Sequence, residues 1–289
     1  MRLFLLSSLC MTLFACNTIL CRLAIIHFGM DPLSYTALRD LSAILMLFLL
    51  SLFAKPSSPK KTLSACLAQI FSVPQILCAL SLFAYMLSFS YGLSGIASAS
   101  GTLLINVSVQ FSMLGFGLLK GLTLSSRQIL GYALAFLGLS LLVGSSLTVP
   151  SPLHAFFMSL AGISWGIYSL YGKEGSDPLR QTGKNFLSTL PFALIALFLA
   201  LIFEDAPKAA GVFCAFLAGS LASALGYVLW YKILPEFSLV RSAIIQLSVP
   251  VITALLAIPS LGEPLSLRLL LCAMLILGGI ATTILKEKP

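Results

Sequence analysis

Apolar residues in this chain come in long blocks rather than in alternating or helical stripes. The blocks run roughly from 3 to 26, 33 to 54, 68 to 91, 96 to 119, 128 to 147, 153 to 172, 186 to 203, 209 to 231, 239 to 260 and 269 to 285. Most reach the ~20 residues that a helix needs to cross about 30 Å of hydrocarbon. Strands of a membrane barrel would be shorter and would alternate polar with apolar, so the backbone is expected to satisfy its own hydrogen bonds as helices. The pattern predicts an all-α membrane protein of ten transmembrane helices. Between the blocks lie "AKPSSPKK", "KGLTLSSR", "GSSLTVPSP", "GKEGSDPLRQTGK", "FEDAPK" and "PSLGEPLS", all short and built from turn residues and charge. No stretch remains for a soluble domain.

Composition agrees: 59% of the 289 residues are hydrophobic, 9% are charged and the mean hydropathy is +1.05, against about a quarter charged in a soluble domain. The net charge of +8 follows from loop asymmetry and calls for no nucleic-acid partner. With the N-terminus inside, one side receives Arg2, Lys55, Lys60, Lys61, Lys120, Arg127, Lys173, Arg180, Lys184, Lys232, Lys286 and Lys288, while the other keeps Lys208 and Arg268. By the positive-inside rule both termini are cytoplasmic, in a multi-pass protein of a bacterial inner membrane. The start "MRLFLLSSLCMTLFAC" has features of a signal peptide or lipoprotein box ending at Cys16, but Phe14 is bulky for such a box and the apolar run continues to Ile26, so it is read as the first span. The seven cysteines all fall in apolar runs without metal-like spacing and read as reduced filler. No cofactor is expected.

The chain also repeats itself. "DPLSYTALRDLS" from Asp31 returns as "DPLRQTGKNFLS" from Asp177, "NVSVQF" (106–111) as "QLSVPV" (246–251), and "GLTLSSR" from Gly121 as "GEPLSLR" from Gly262. The order is the same in both copies, which divides the chain into units of five spans, residues 1–148 and 149–289. An odd number of spans makes the second unit enter the membrane from the opposite face, giving inverted repeats, an architecture found chiefly in transporters.

Taken together, "DPLSYTALR", "AGISWGIYSL" (161–170), "LGYVLWYKILP" (225–235), "QLSVPV" and "LGEPLS" (261–266) resemble the EamA family of the drug/metabolite transporter superfamily over essentially the whole chain. That resemblance implies a secondary transporter working by alternating access, with a central cavity between the two units lined mainly by the first, third and fourth spans of each. It leaves the substrate open, since relatives carry amino acids, nucleotide sugars, S-adenosylmethionine and other metabolites. The chain departs from an even repeat where Gly262–Glu263 corresponds to Gly121–Leu122.

Polar groups inside spans are expensive and nominate the site. Asn106 and Gln246 occupy equivalent repeat positions, and Gln110 lies one helical turn beyond Asn106. Pro250, the counterpart of Gln110, can free a carbonyl toward the cavity. These amides either face a solute or tie helices together. Arg39 sits about two turns into the second span; it either holds a carboxylate or phosphate, or snorkels outward, or pairs with Asp31. Trp165, Tyr168 and Asn17 are further cavity candidates, with Tyr227 nearby, while Trp230 and Tyr231 fit an interfacial aromatic belt. Arg241, at the inner start of the ninth span, reads as an anchor. The nine acidic residues are expected in loops or near span ends, Asp40 being the deepest, which disfavours an obligatory carboxylate relay.

The favoured solute is a small zwitterion or organic anion, an amino acid or derivative; an S-adenosyl or nucleotide-type compound stacked on Trp165 is the alternative. A channel or lipid-translocating protein is the rival among membrane functions. An intramembrane serine protease would use "GLSG" (92–95), but His27 and His154 are both at span ends, so an enzyme is not expected. Partners are the solute and lipid, and monomer and homodimer both remain open.

Overall fold

The computed structural model describes residues 2–54, 72–121, 123–143, 151–171, 177–237 and 248–262, with further single positions between 242 and 279. Every regular element among the described residues is helical. They are α1 (Arg2–His27), α2 (Pro32–Phe53), α3 (Val73–Gly95), α4 (Ser98–Leu119), α5 (Ser126–Val143), α6 (Pro152–Tyr171), α7 (Pro178–Phe203), α8 (Ala209–Glu236) and α9 (Ser248–Leu261). Seven, α1 to α4 and α6 to α8, are long and apolar enough to cross a membrane, whereas α5 has 18 residues and α9 has 14. Arg241, Glu263 and most of the expected tenth span at 269–285 lie outside the described residues. Large apolar side chains cover the outside of the bundle, among them Phe53, Phe198, Leu201 and Phe203. An apolar surface this extensive suits lipid and not water.

The repeated motifs turn out to be helix starts and stops. Asp31 caps α2 by accepting from the Ser34 N–H at 2.7 Å, and Asp177 caps α7 by accepting from Leu179 and Arg180 at 3.1 and 3.2 Å. Pro32 and Pro178 follow, in the first turn, where a missing N–H costs no hydrogen bond. Thr36 and Thr182 then donate to the carbonyls of those prolines at 2.7 Å each. At the other end, Gly121 and Gly262 close α4 and α9 with φ of +81° and +66°, a left-handed geometry in which any Cβ is strained.

Packing pairs the helices reciprocally. α3 lies on α6 as α8 lies on α1; α4 lies on α6 as α9 lies on α1; α2 lies on α8 as α7 lies on α3. α2 meets α7, and α4 meets α9. Two clusters result, α3–α4–α6 and α8–α9–α1, with α2 and α7 packed together between them. Small residues set the closest approaches. A Cβ on Gly162 or Gly166 of α6 would run into Ile105, Ser108 and Ser112 of α4, and one on Gly219 of α8 into the Arg39 carbonyl and Ser42 of α2. Two helices contain widened π turns, Leu23–His27 in α1 and Ala218–Leu225 in α8, a feature common at functional sites. Arg22, just before the first of these, donates to the carbonyls of Leu93 and Ile96 at 2.9 and 3.0 Å. It thereby satisfies the carbonyl end of α3, where a cation is also favoured by the helix dipole.

Candidate solute cavity

A small cavity opens between the helices, lined by residues of α1, α3, α4, α6 and α9. α1 contributes Phe14 and Thr18, α3 contributes Tyr85 and Phe89, and α4 contributes Thr102, Ile105, Asn106 and Val109. Trp165 of α6, Gln246 and Val249 of α9 complete the wall. Both clusters therefore reach the cavity, and no charged residue is among the described residues lining it.

Hydrogen bonds fix the amides. Trp165 Nε1 donates to Gln246 Oε1 at 2.6 Å, while Gln246 Nε2 donates to the Ser242 carbonyl at 3.3 Å. Asn106 Nδ2 donates to the Thr102 carbonyl one turn earlier at 2.6 Å. Gln246 thus uses its oxygen to hold the indole, and Asn106 uses its amide N–H on its own helix. Trp165 is itself 5% exposed, ringed by Phe14, Tyr85, Tyr168 and Tyr227 with centroids 5.4, 5.1, 5.5 and 4.8 Å away. Offset and edge-on aromatic contacts of this kind add about 0.5–1.5 kcal/mol each beyond burial, so the indole is a packed wall rather than a free stacking platform.

Of the residues singled out from the sequence, Asn106, Trp165 and Gln246 line this cavity, whereas Asn17, Arg39, Gln110, Tyr168 and Tyr227 are buried without lining it. Phe14 and Thr18, the latter the neighbour of Asn17, are the α1 residues that do so. Arg39 corrects both alternatives offered for it other than solute binding. It neither snorkels nor pairs with Asp31: it is 0% exposed, with Nε donating to Ser223 Oγ at 3.0 Å and Nη2 to Tyr227 Oη at 3.1 Å. Its guanidinium carbon stands 5.6 and 5.5 Å from the Tyr85 and Phe89 ring centres. Those two rings line the cavity, so the charge lies behind an aromatic partition.

Tyr168 belongs to a second polar seam. Gln75 of α3 donates to Asn185 Oδ1 at 3.1 Å and Ser188 Oγ at 3.2 Å, Gln181 donates to Asn185 Oδ1 at 3.0 Å, and Asn185 Nδ2 donates to Tyr168 Oη at 3.4 Å. Tyr231 Oη donates to the Tyr168 carbonyl at 3.0 Å. Trp230 and Tyr231, expected in an interfacial belt, are instead 0% and 4% exposed, packed inside the protein by α1 and α6. In the repeat Asn185 is the counterpart of Arg39, so equivalent positions anchor both seams. At "GLSG", His154 packs against Gly95 while Ser94 donates to the Tyr91 carbonyl at 2.7 Å. Cys10, Cys16, Cys21 and Cys214 are free thiols.

A membrane-buried helical bundle folded around an uncharged, aromatic-walled cavity is the build of a small-molecule transporter. Residues 153–285 match the EamA-like transporter family, and the chain belongs to that family, within the drug/metabolite transporter superfamily of membrane transporters. Uncharacterized protein PA1977 of Pseudomonas aeruginosa is 40% identical over 281 residues, covering 97% of this chain and 93% of that protein. A protein of known crystal structure shares the fold with a TM-score of 0.70 at 17% identity, over 96% of this chain and 97% of its own.

Proposed function

We propose that this protein carries a small neutral or zwitterionic metabolite, an amino acid or derivative, across the bacterial inner membrane by alternating access. In this reading residues 1–148 and 149–289 are two inverted five-helix units, ten spans in all, with both termini in the cytoplasm. The reciprocal packing of α1 to α4 with α6 to α9 supports that symmetry, and the Lys and Arg distribution supports the orientation.

The observation that carries the proposal is the cavity between the two clusters, polar through Thr18, Thr102, Asn106 and Gln246, apolar elsewhere, and with no charge among the described residues that line it. An anion would lose its hydration there, and Arg39, bonded to Ser223 and Tyr227 through Nε and Nη2, is not among the described residues that line it. A zwitterion or neutral polar solute can use the amide and hydroxyl groups and place its side chain on the aromatic wall. Release on the far side follows from movement of the α3–α4–α6 cluster against α8–α9–α1 about the α2–α7 contact.

The test is a thermal-shift screen of the purified protein against amino acids, their derivatives, S-adenosyl compounds and organic anions, followed by counterflow in liposomes. A stabilising neutral or zwitterionic compound that also gives saturable counterflow, weakened by Asn106→Ala, supports the assignment. Unsaturable flux marks a channel, and stabilisation confined to organic anions overturns the solute class.

A further inference from the structure

Asp40 is fully buried in α2. It lies eight residues after Pro32, about 12 Å along the axis at roughly 1.5 Å per residue, well inside the bundle and not at a span end. A carboxyl at that depth is expensive and points to function. Its Oδ1 is 2.9 Å from Thr189 Oγ of α7, and its Oδ2 has no hydrogen-bond partner. The same Thr189 oxygen is 2.6 Å from the Phe186 carbonyl.

A threonine hydroxyl owns a single proton. With Asp40 ionised, the buried carboxylate has one hydroxyl donor on Oδ1 and none on Oδ2, too few partners for a charge held away from water. Both contacts are hydrogen bonds at once when Asp40 carries a proton on Oδ1. Oδ1–H then donates to Thr189 Oγ, and Thr189 Oγ–H donates to the Phe186 carbonyl. We propose that Asp40 is a proton-binding site inside the membrane, its bound proton bridging α2 to α7, and that loading and release of this proton are coupled to the transport movement.

The surroundings fit a site that handles one proton in isolation. The charged group that bears on Asp40 is Arg39, its chain neighbour, which faces Tyr85 from α3 and Tyr227 from α8. α7 supplies Thr189, α1 brings Cys21 beside Tyr35 at an earlier turn of α2, and no second carboxylate acts on Asp40 among the described residues. Two residues beyond Thr189, Pro191 interrupts the hydrogen-bond ladder of α7 and lets the helix bend next to the bridge. When the proton leaves, Oδ1 turns from donor to acceptor of the Thr189 hydroxyl while Oδ2 stays without a partner, so the bridge between α2 and α7 reverses direction around a bare buried charge. α2 also holds α8 through Arg39, so a change at Asp40 is felt by the α8–α9–α1 cluster.

The proton site stands on this geometry alone, whereas its link to solute movement rests on the carrier reading above. Infrared difference spectra of the purified full-length protein, recorded through a pH titration without solute, test the site. The expected result is a protonated-carboxyl C=O band that is lost as pH rises, is absent in Asp40→Asn and is shifted in Thr189→Val, where its acceptor is gone. Asparagine can donate to Thr189 as the neutral acid does, which keeps the helix contact. Spectra of wild type and Asp40→Asn that superimpose at every pH overturn the proposal; should that variant fail to fold, a band unmoved by Thr189→Val does the same. With a counterflow solute in hand, a pH gradient that drives equal accumulation in wild type and Asp40→Asn overturns the coupling. A titrating band without any carried solute would instead sink the carrier reading and leave the proton site in place.

Discussion

Breaking the bond between Arg39 and Tyr227 measures what the buried guanidinium contributes. Tyr227→Phe removes the hydroxyl that accepts from Nη2 at 3.1 Å and leaves Ser223 as the remaining polar partner at 3.0 Å. A hydrogen bond to a charged group contributes about 1.5–3 kcal/mol, whereas interhelical hydrogen bonds measured inside membranes average about 0.6 kcal/mol. This pair is charged and fully buried but shares its donor fork with Ser223, which places the expected coupling at roughly 1–2 kcal/mol. Arg39→Met alone is less diagnostic. It loses both hydrogen bonds and the contacts with Tyr85 and Phe89, about 0.5–2 kcal/mol each, yet it also removes a desolvation penalty of several kcal/mol. A double-mutant cycle cancels those shared terms. Unfolding of the four proteins in detergent can be followed with a thiol-reactive dye, because Cys10, Cys21 and Cys214 are buried thiols exposed on unfolding. Effects that add to within about 0.3 kcal/mol would refute the reasoning. So would an Arg39→Met protein of unchanged stability that has lost selectivity for an anionic solute, since Arg39 would then be a solute anchor after all.

Other expectations rest on separate contacts. Gly219→Leu forces a side chain into the Arg39 carbonyl and Ser42; it should lower the yield of folded protein sharply, while Gly183→Ala, where a Cβ meets nothing, should leave the melting temperature nearly unchanged. Asp31→Ala and Asp177→Ala each delete one helix cap, at about 1 kcal/mol, and the double variant should show the sum in equilibrium unfolding because the caps serve different helices. Trp165→Phe removes the donor to Gln246 and strands its oxygen, so counterflow affinity should fall while secondary structure by circular dichroism stays intact. Ser125→Cys and Asp205→Cys, made in a background without reactive native thiols, should be labelled by a membrane-impermeant reagent from opposite faces; labelling from the same face contradicts the orientation.

Much of the architecture was legible because the membrane imposes it. Long apolar runs leave the backbone no choice but helix, and the duplicated Asp-Pro-Leu and Gly positions mark the physical ends of helices, which sequence can show directly. Side-chain surroundings were harder. The sequence places Arg39 two turns deep, but its partners Ser223 and Tyr227 are 184 and 188 residues away, and nothing local reveals them. Asn17 lies beside the cavity wall and Thr18 in it for a simpler reason: one residue turns a helix by about 100°, and a first span apolar on all sides offers no stripe to set the phase. Trp230 and Tyr231 have the composition of a belt, yet they follow the π segment of α8, which shifts the faces of every residue after it. Asp40 looked marginal because its distance from the chain's nearest loop was counted while its contact with Thr189, on another helix, was invisible.

The interlocked arrangement of α1 and α6 bears on how such a chain can be divided. Each of these helices belongs by sequence to one half and by packing to the other's cluster. A polypeptide severed between α5 and α6 would give two fragments that each lack a stave of their own barrel, and neither could enclose a solute alone. Co-production of both pieces would have to restore the hollow by exchange of α1 and α6 between them.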